Sequence, residues 1–97
     1  MLFKYLISVE DISIGMLYDD RKKEMRLGGN KRFSDFINSI VETYAGLSLV
    51  KGHIVIDKLK VRYSISCTKK IFDRALIELS KQGISVAMVK SFNRLMR

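Results

Sequence analysis

The chain opens on alternating stretches. Residues 2–9, LFKYLISV, are rich in β-branched and aromatic side chains, and Glu10-Asp11 interrupts the apolar run. Ile12, Ile14, Met16 and Tyr18 then recur at every second position, the spacing of a strand with one buried face. The charged group Asp19-Asp20-Arg21-Lys22-Lys23 reads as a turn and Glu24-Met25-Arg26-Leu27 as a short returning strand, so that residues 1–30 make a β-hairpin or meander. A helix over 19–27 capped by Asp19 competes for the same residues. Gly28-Gly29-Asn30 marks a boundary, because paired glycines favour irregular backbone.

The period changes at Lys31. Phe33, Phe36, Ile37, Ile40, Val41 and Tyr44 lie on one stripe at helical spacing and predict a helix over 31–45. Asn30 is placed to cap its start, and Gly46 sits where a helix-ending glycine belongs. The stripe reads as core. Residues 47–56 suggest a bend at Lys51-Gly52 and a brief strand that carries His53.

The stretch Ile56–Gly83 then reads as two helices joined by a tight turn. Ile56, Leu59 and Tyr63 share a face of the first; Ser64-Ile65-Ser66 makes the turn; Ser66 or Thr68 caps a second helix over 68–82. In that second helix Phe72, Ala75, Leu76 and Leu79 form the buried stripe and Gly83 ends it. Residues 84–89, ISVAMV, predict a strand, Lys90 to Asn93 a turn, and Arg94 to Arg97 a brief return.

Composition narrows the class. Ninety-seven residues make one domain, or one with a small appendage, and 47% hydrophobic content fits a folded chain. One cysteine, Cys67, excludes an internal disulfide framework and points to a reducing interior; with His53 as the one histidine there is no protein-only zinc site. The apolar start is too short to span a bilayer and lacks a signal-peptide cleavage site. The charge is uneven: residues 1–30 carry five basic and five acidic side chains, and the remainder thirteen against five, which is the whole net +8. A positive face on one part of the fold points to a polyanionic partner. No nucleophile stands near the histidine, no paired acids suggest a pocket, and no glycine loop matches a phosphate cradle, so the chain reads as a non-enzyme without cofactor or metal.

The succession helix, short strand, helix, turn, helix, hairpin resembles the winged helix-turn-helix superfamily. Ile56, Leu59, Tyr63, Ile65 and Ser66 match its first-helix-and-turn pattern, and Ala75-Leu76, Glu78-Leu79 and Gly83 look like the end of the recognition helix in GntR- and MarR-type regulators, with Ile84 opening the wing. The likeness covers Lys31 to Arg97. It departs in the length from Ser66 to Ala75, two residues beyond the usual, in Lys60 for a small residue, and in Ser64 for the turn glycine. Leu59-Lys60-Val61-Arg62 together with Ala75 to Gly83 is also similar to runs in a winged-helix protein of the eukaryotic and archaeal small ribosomal subunit.

The resemblance implies an α+β fold in which 31–97 is a winged domain of three helices and a short β-wing, while residues 1–30, apolar and without the charge excess, read as a β element for dimerisation. It implies a sequence-specific DNA-binding protein, a small transcriptional regulator or a partition or replication accessory of a plasmid or virus. Such a protein would act as a homodimer on double-stranded DNA, in the cytoplasm or with the nucleoid. Helix 68–82 would enter the major groove. Arg74 would read a guanine edge, Lys69 and Lys70 hold phosphates, Ser66 and Thr68 donate to a phosphate at the helix start, and Asp73 pair with Lys69 or Lys70 or accept from cytosine. Lys90, Asn93 and Arg94 would sit on the wing, with Lys31, Arg32 and Lys58 as further phosphate contacts. Two other readings stand beside it: an RNA-bound component of the small ribosomal subunit, and a protein–protein docking module.

Overall fold

The computed structural model describes residues 1–47, 52–56 and 59–90, with backbone alone for 44–47 and 52–56. Its elements are β1 (Leu2–Val9), β2 (Ile12–Asp19), β3 (Glu24–Asn30), a 3-10 turn (Lys31–Phe33), α1 (Ser34–Leu47), β4 (Gly52–Ile56), β5 (Lys60–Ser66), α2 (Lys69–Lys81) and β6 (Ser85–Met88). The strands form one six-stranded sheet in the order β4-β5-β3-β2-β1-β6, with every neighbouring pair antiparallel.

The alternation in the N-terminal segment sets the sheet's two faces. Ile7, Ile14, Met16, Tyr18, Met25 and Leu27 are fully buried, and they meet Ile37 and Ile40 of α1 and Phe72, Ala75 and Leu79 of α2 in one core. Both helices therefore cover the same face. Leu6, Leu17, Arg26 and Arg62 belong to the opposite face, which no described element covers. An antiparallel sheet tolerates this, because one pleated face is enough to build the core.

This architecture overturns the winged-helix reading. A winged helix needs about three helices, and the described residues hold two α-helices on a broad sheet. The predicted first helix of the pair does not exist: residues 60–66, including the predicted turn Ser64-Ile65-Ser66, are β5. Val61, Tyr63 and Ile65 recur at every second position and pair in register with Gly29, Leu27 and Met25. Leu59, cast as a buried helix anchor, is 71% exposed in the turn before β5. The two surplus residues between Ser66 and Ala75 have the same origin, since they join a strand to a capped helix and not two helices of one motif.

The strand after Gly83 is also no wing. β6 crosses to the far edge and pairs with β1, Tyr5 opposite Met88. The predicted return at Arg94–Arg97 lies outside the described residues. Residues 1–30 supply three inner strands, each paired on both sides, so the edges of β1, β2 and β3 are closed to a second copy. Gly28 and Gly29 do not end the strand but lie within β3. A Cβ on Gly28 would stand 2.5 Å from the Val61 carbonyl oxygen, so β5 approaches too closely for a side chain there. Gly46 lies inside α1, which runs to Leu47.

The succession β3-α1-β4-β5-α2-β6 is a split β-α-β arrangement with the hairpin β1-β2 inserted between its first and last strands. α2 consequently has to reach from the end of β5 to a strand at the other side of the sheet. Its ends are well specified. The Thr68 hydroxyl accepts from the Ile71 amide at 3.3 Å. At the other end the Ile84 amide donates to the Leu79 carbonyl and the Gly83 amide to the Ser80 carbonyl, each at 3.1 Å, with Gly83 at φ +83°. That is a Schellman closure, in which glycine takes the left-handed position and Ile84 folds back on the core.

Candidate nucleic-acid interface

Helical geometry sorts the charged residues of α2. With Phe72, Ala75 and Leu79 buried, Lys70, Arg74, Ile77 and Lys81 fall together on the outward side at steps of four, three and four. Lys70, Arg74 and Ile77 are exposed. Lys69 lies to one side, where its ammonium bonds the Asp73 carboxylate at 2.6 Å and sits 4.6 Å from the centre of the Phe3 ring. Of the two partners open to Asp73, the structure selects Lys69. The ammonium over Phe3 ties α2 to β1, and its pairing with Asp73 leaves Lys70 and Arg74 as the cations that face outward without an acid partner among the described residues.

The β2–β3 turn, residues 20–23, reaches the start of the same helix. Glu24 lies opposite Ser66, and the Cys67 amide donates to the Lys23 carbonyl at 3.1 Å. The Tyr18 hydroxyl donates to the Cys67 carbonyl at 2.9 Å, a second tie between β2 and the link into α2. Burial, then the neighbouring Cys67 thiol and Asp20, push the Tyr18 phenol up, which keeps it a donor. Arg21, Lys22 and Lys23 are thus brought to the end of the sheet where α2 begins. All three are exposed and, among the described residues, unpaired with any acid.

The acids at this end are engaged. Asp20 binds the N-terminal ammonium at 3.1 Å, Glu24 binds Arg26 at 2.7 Å, and Asp73 binds Lys69. Asp19 turns its carboxylate onto the Arg21 and Lys22 amides at 3.0 and 3.3 Å, shaping the turn. Slight desolvation works against its ionisation, but those two amides, together with the Lys22 and N-terminal charges, outweigh it and hold its carboxyl below the usual range. The first-turn amides of α2 add the partial positive charge of a helix N-terminus.

The remaining expected contacts do not converge here. Lys31 and Arg32 sit in the 3-10 turn after β3, at the end of the sheet opposite to the start of α2; Asn30 caps that turn by accepting from the Arg32 amide at 3.0 Å, and Arg32 stacks on Phe33. Ser66 ends β5, exposed, and Thr68 spends its hydroxyl on the cap. Lys90 follows β6, its carbonyl accepting from the Lys4 ammonium at 3.4 Å. Lys58, Asn93 and Arg94 lie outside the described residues. Arg21, Lys22 and Lys23 are the addition, and their signal was present as a basic run in a predicted turn. Only the register of β3 against β5 says which helix end that turn meets.

The uncovered face of the sheet offers a different surface. Among the described strand residues, Lys4, Arg26, Lys60 and Arg62 have positions on it, as does His53 by its register with Ser64, whereas Phe3, Tyr5, Tyr18 and Tyr63 belong to the core side. Bases would therefore meet no phenylalanine or tyrosine of the described strands there on which to stack. Among the described residues no group of histidine, cysteine and acidic side chains could hold a metal ion, and no helix is long and apolar enough to cross a membrane.

The fold and site define an α+β protein with a one-sided helical layer over an antiparallel sheet and a basic end beside α2. Compared with known proteins, the chain matches no family model, no curated protein and no solved structure.

Proposed function

We propose that the chain binds nucleic acid through its phosphates, using the β2–β3 turn and the outward side of α2. The observation that carries this reading is the convergence of Arg21, Lys22, Lys23 and Lys70, from two separate segments, at a helix N-terminus where the neighbouring acids are already engaged. Arg74 extends the same positive strip along α2. The net charge of +8 supplies the long-range attraction. Phosphate contacts of this kind position a protein on a duplex without reading its sequence. Among the described residues, the strip of Arg21, Lys22, Lys23, Lys70 and Arg74 includes no aromatic side chain on which unpaired bases could stack, which favours double-stranded over single-stranded nucleic acid.

Four phosphates neutralised would give a slope of about −3.6 in log K against log salt, a loss of roughly 150-fold between 50 and 200 mM. Fluorescence anisotropy with a labelled duplex across that range measures it. Replacing Arg21, Lys22 and Lys23 by alanine should flatten the slope by about three. Replacing Lys31 and Arg32, at the far end, should leave it nearly unchanged. A triple variant that binds as well as the parent, with the parent's salt slope, overturns the reading.

A further inference from the structure

Among the described residues no strand pairs with the outer edge of β6, which carries a second kind of surface. The Val89 amide donates to the Lys4 carbonyl at 2.9 Å, so by strand alternation Ser85 and Ala87 also turn their backbone groups toward β1. The N–H and C=O groups of Val86 and Met88 then point outward from the sheet. The Val86 side chain, on the helix side, joins Leu76, Ile77, Ser80 and Lys81 in lining a groove of about 410 Å³ between β6 and α2. Ile77 is 56% and Met88 69% exposed beside it. The edge reads Ser-Val-Ala-Met, with no proline and no charge to discourage pairing.

We propose that this edge and groove take up an extended segment of a partner protein, as a seventh strand, with apolar residues at alternate positions and acidic residues at its ends. A strand added to β6 pairs with the outward groups of Val86 and Met88, and every second side chain drops into the groove against Ile77 and Leu76. Charge chooses the ends. Lys81 lines the groove next to the start of β6, and the exposed Lys90 follows β6 at its other end. The bond from Lys81 to Glu78 is 3.6 Å long at exposed positions and is weak enough to be exchanged. A second copy of this chain fits worse, because antiparallel pairing of two β6 strands brings Lys90 of each toward Lys81 of the other.

The test uses the full chain and a synthetic seven-residue peptide with valines at its second, fourth and sixth positions, serines between them and glutamates at both ends. Amide exchange by NMR should find Val86 and Met88 exchanging fast in the free protein and at least about tenfold slower with peptide bound. A lysine-ended peptide should bind more weakly than the glutamate-ended one, and Lys81→Glu should narrow that gap. Ile77→Ser, a change at an exposed position that spares the fold, should weaken binding about tenfold. Slow exchange of Val86 and Met88 in the free protein would show the edge already covered, by the chain itself or by a second copy, and would overturn the proposal. So would binding that leaves these amides fast, no saturable binding at millimolar peptide, or competition by duplex nucleic acid, which would merge this surface with the basic one.

Discussion

Truncating Phe72 to alanine tests which face of α2, the one bearing Phe72, Ala75 and Leu79, packs on the sheet. None of the Phe72 surface is exposed, and its ring lies 5.1 Å from that of Tyr18 and 5.7 Å from that of Tyr5. Loss of roughly 150 Å² of buried aromatic surface, at about 25 cal/mol per Å², costs about 4 kcal/mol. That agrees with the 3–5 kcal/mol typical of such truncations, at about the middle of that range. A domain of this length holds only about 5–15 kcal/mol in total. The variant should therefore remain folded but melt at least about 15 °C lower. Urea unfolding followed by far-UV circular dichroism gives the free energy directly. Ile77→Ala, five residues along the same helix but on its outward side, should change stability by no more than about 0.5 kcal/mol. If Phe72→Ala costs under about 1 kcal/mol, or Ile77→Ala costs as much as Phe72→Ala, the rotation of α2 about its axis is wrong, and with it the assignment of Lys70 and Arg74 to the outside.

Three further outcomes follow from single contacts. Tyr18→Phe removes the donor to the Cys67 carbonyl and should cost about 1 kcal/mol in denaturant unfolding, with the fold retained. Gly83→Ala forces a Cβ into a left-handed backbone at φ +83° and should cost about 1–2 kcal/mol although no atom crowds the site; Gly83→Asn should cost less in the same unfolding experiment. Burial pushes the Cys67 thiol up to about 11 from 9.0, so iodoacetamide at pH 8 should label native protein far more slowly than unfolded protein. Because the folded value is the higher one, Cys67 contributes its stability below pH 9 and loses it as the pH rises toward 11, which a Cys67→Ser comparison over that range should reveal.

Much of the chain was legible where one period ran unopposed. Ile12, Ile14, Met16 and Tyr18 announce β2, and the stripe from Phe33 to Val41 announces α1, because each pattern fits only one kind of element. Thr68 and Gly83 mark the ends of α2 through local backbone chemistry that needs no distant partner. The stretch 56–66 was ambiguous in a definite way. Ile56, Leu59 and Tyr63 suit a helix, while Val61, Tyr63 and Ile65 suit a strand, and Tyr63 serves both. The resemblance to a helix-turn-helix rested on the first set.

What the sequence determined by itself was local: where chain direction changes, which segments are amphipathic, and that the positive charge is unevenly spread. What the tertiary structure decided was pairing. β3 offers an edge of backbone donors and acceptors to residues 60–66, and satisfying seven residue pairs along it outweighs a helix whose anchor, Leu59, would otherwise need a core to enter. The same pairing carries Lys23 to Cys67 and so sets the basic turn against the start of α2. Residues far apart in the chain are brought together only by strand register, and register depends on the whole sheet, which no local period encodes.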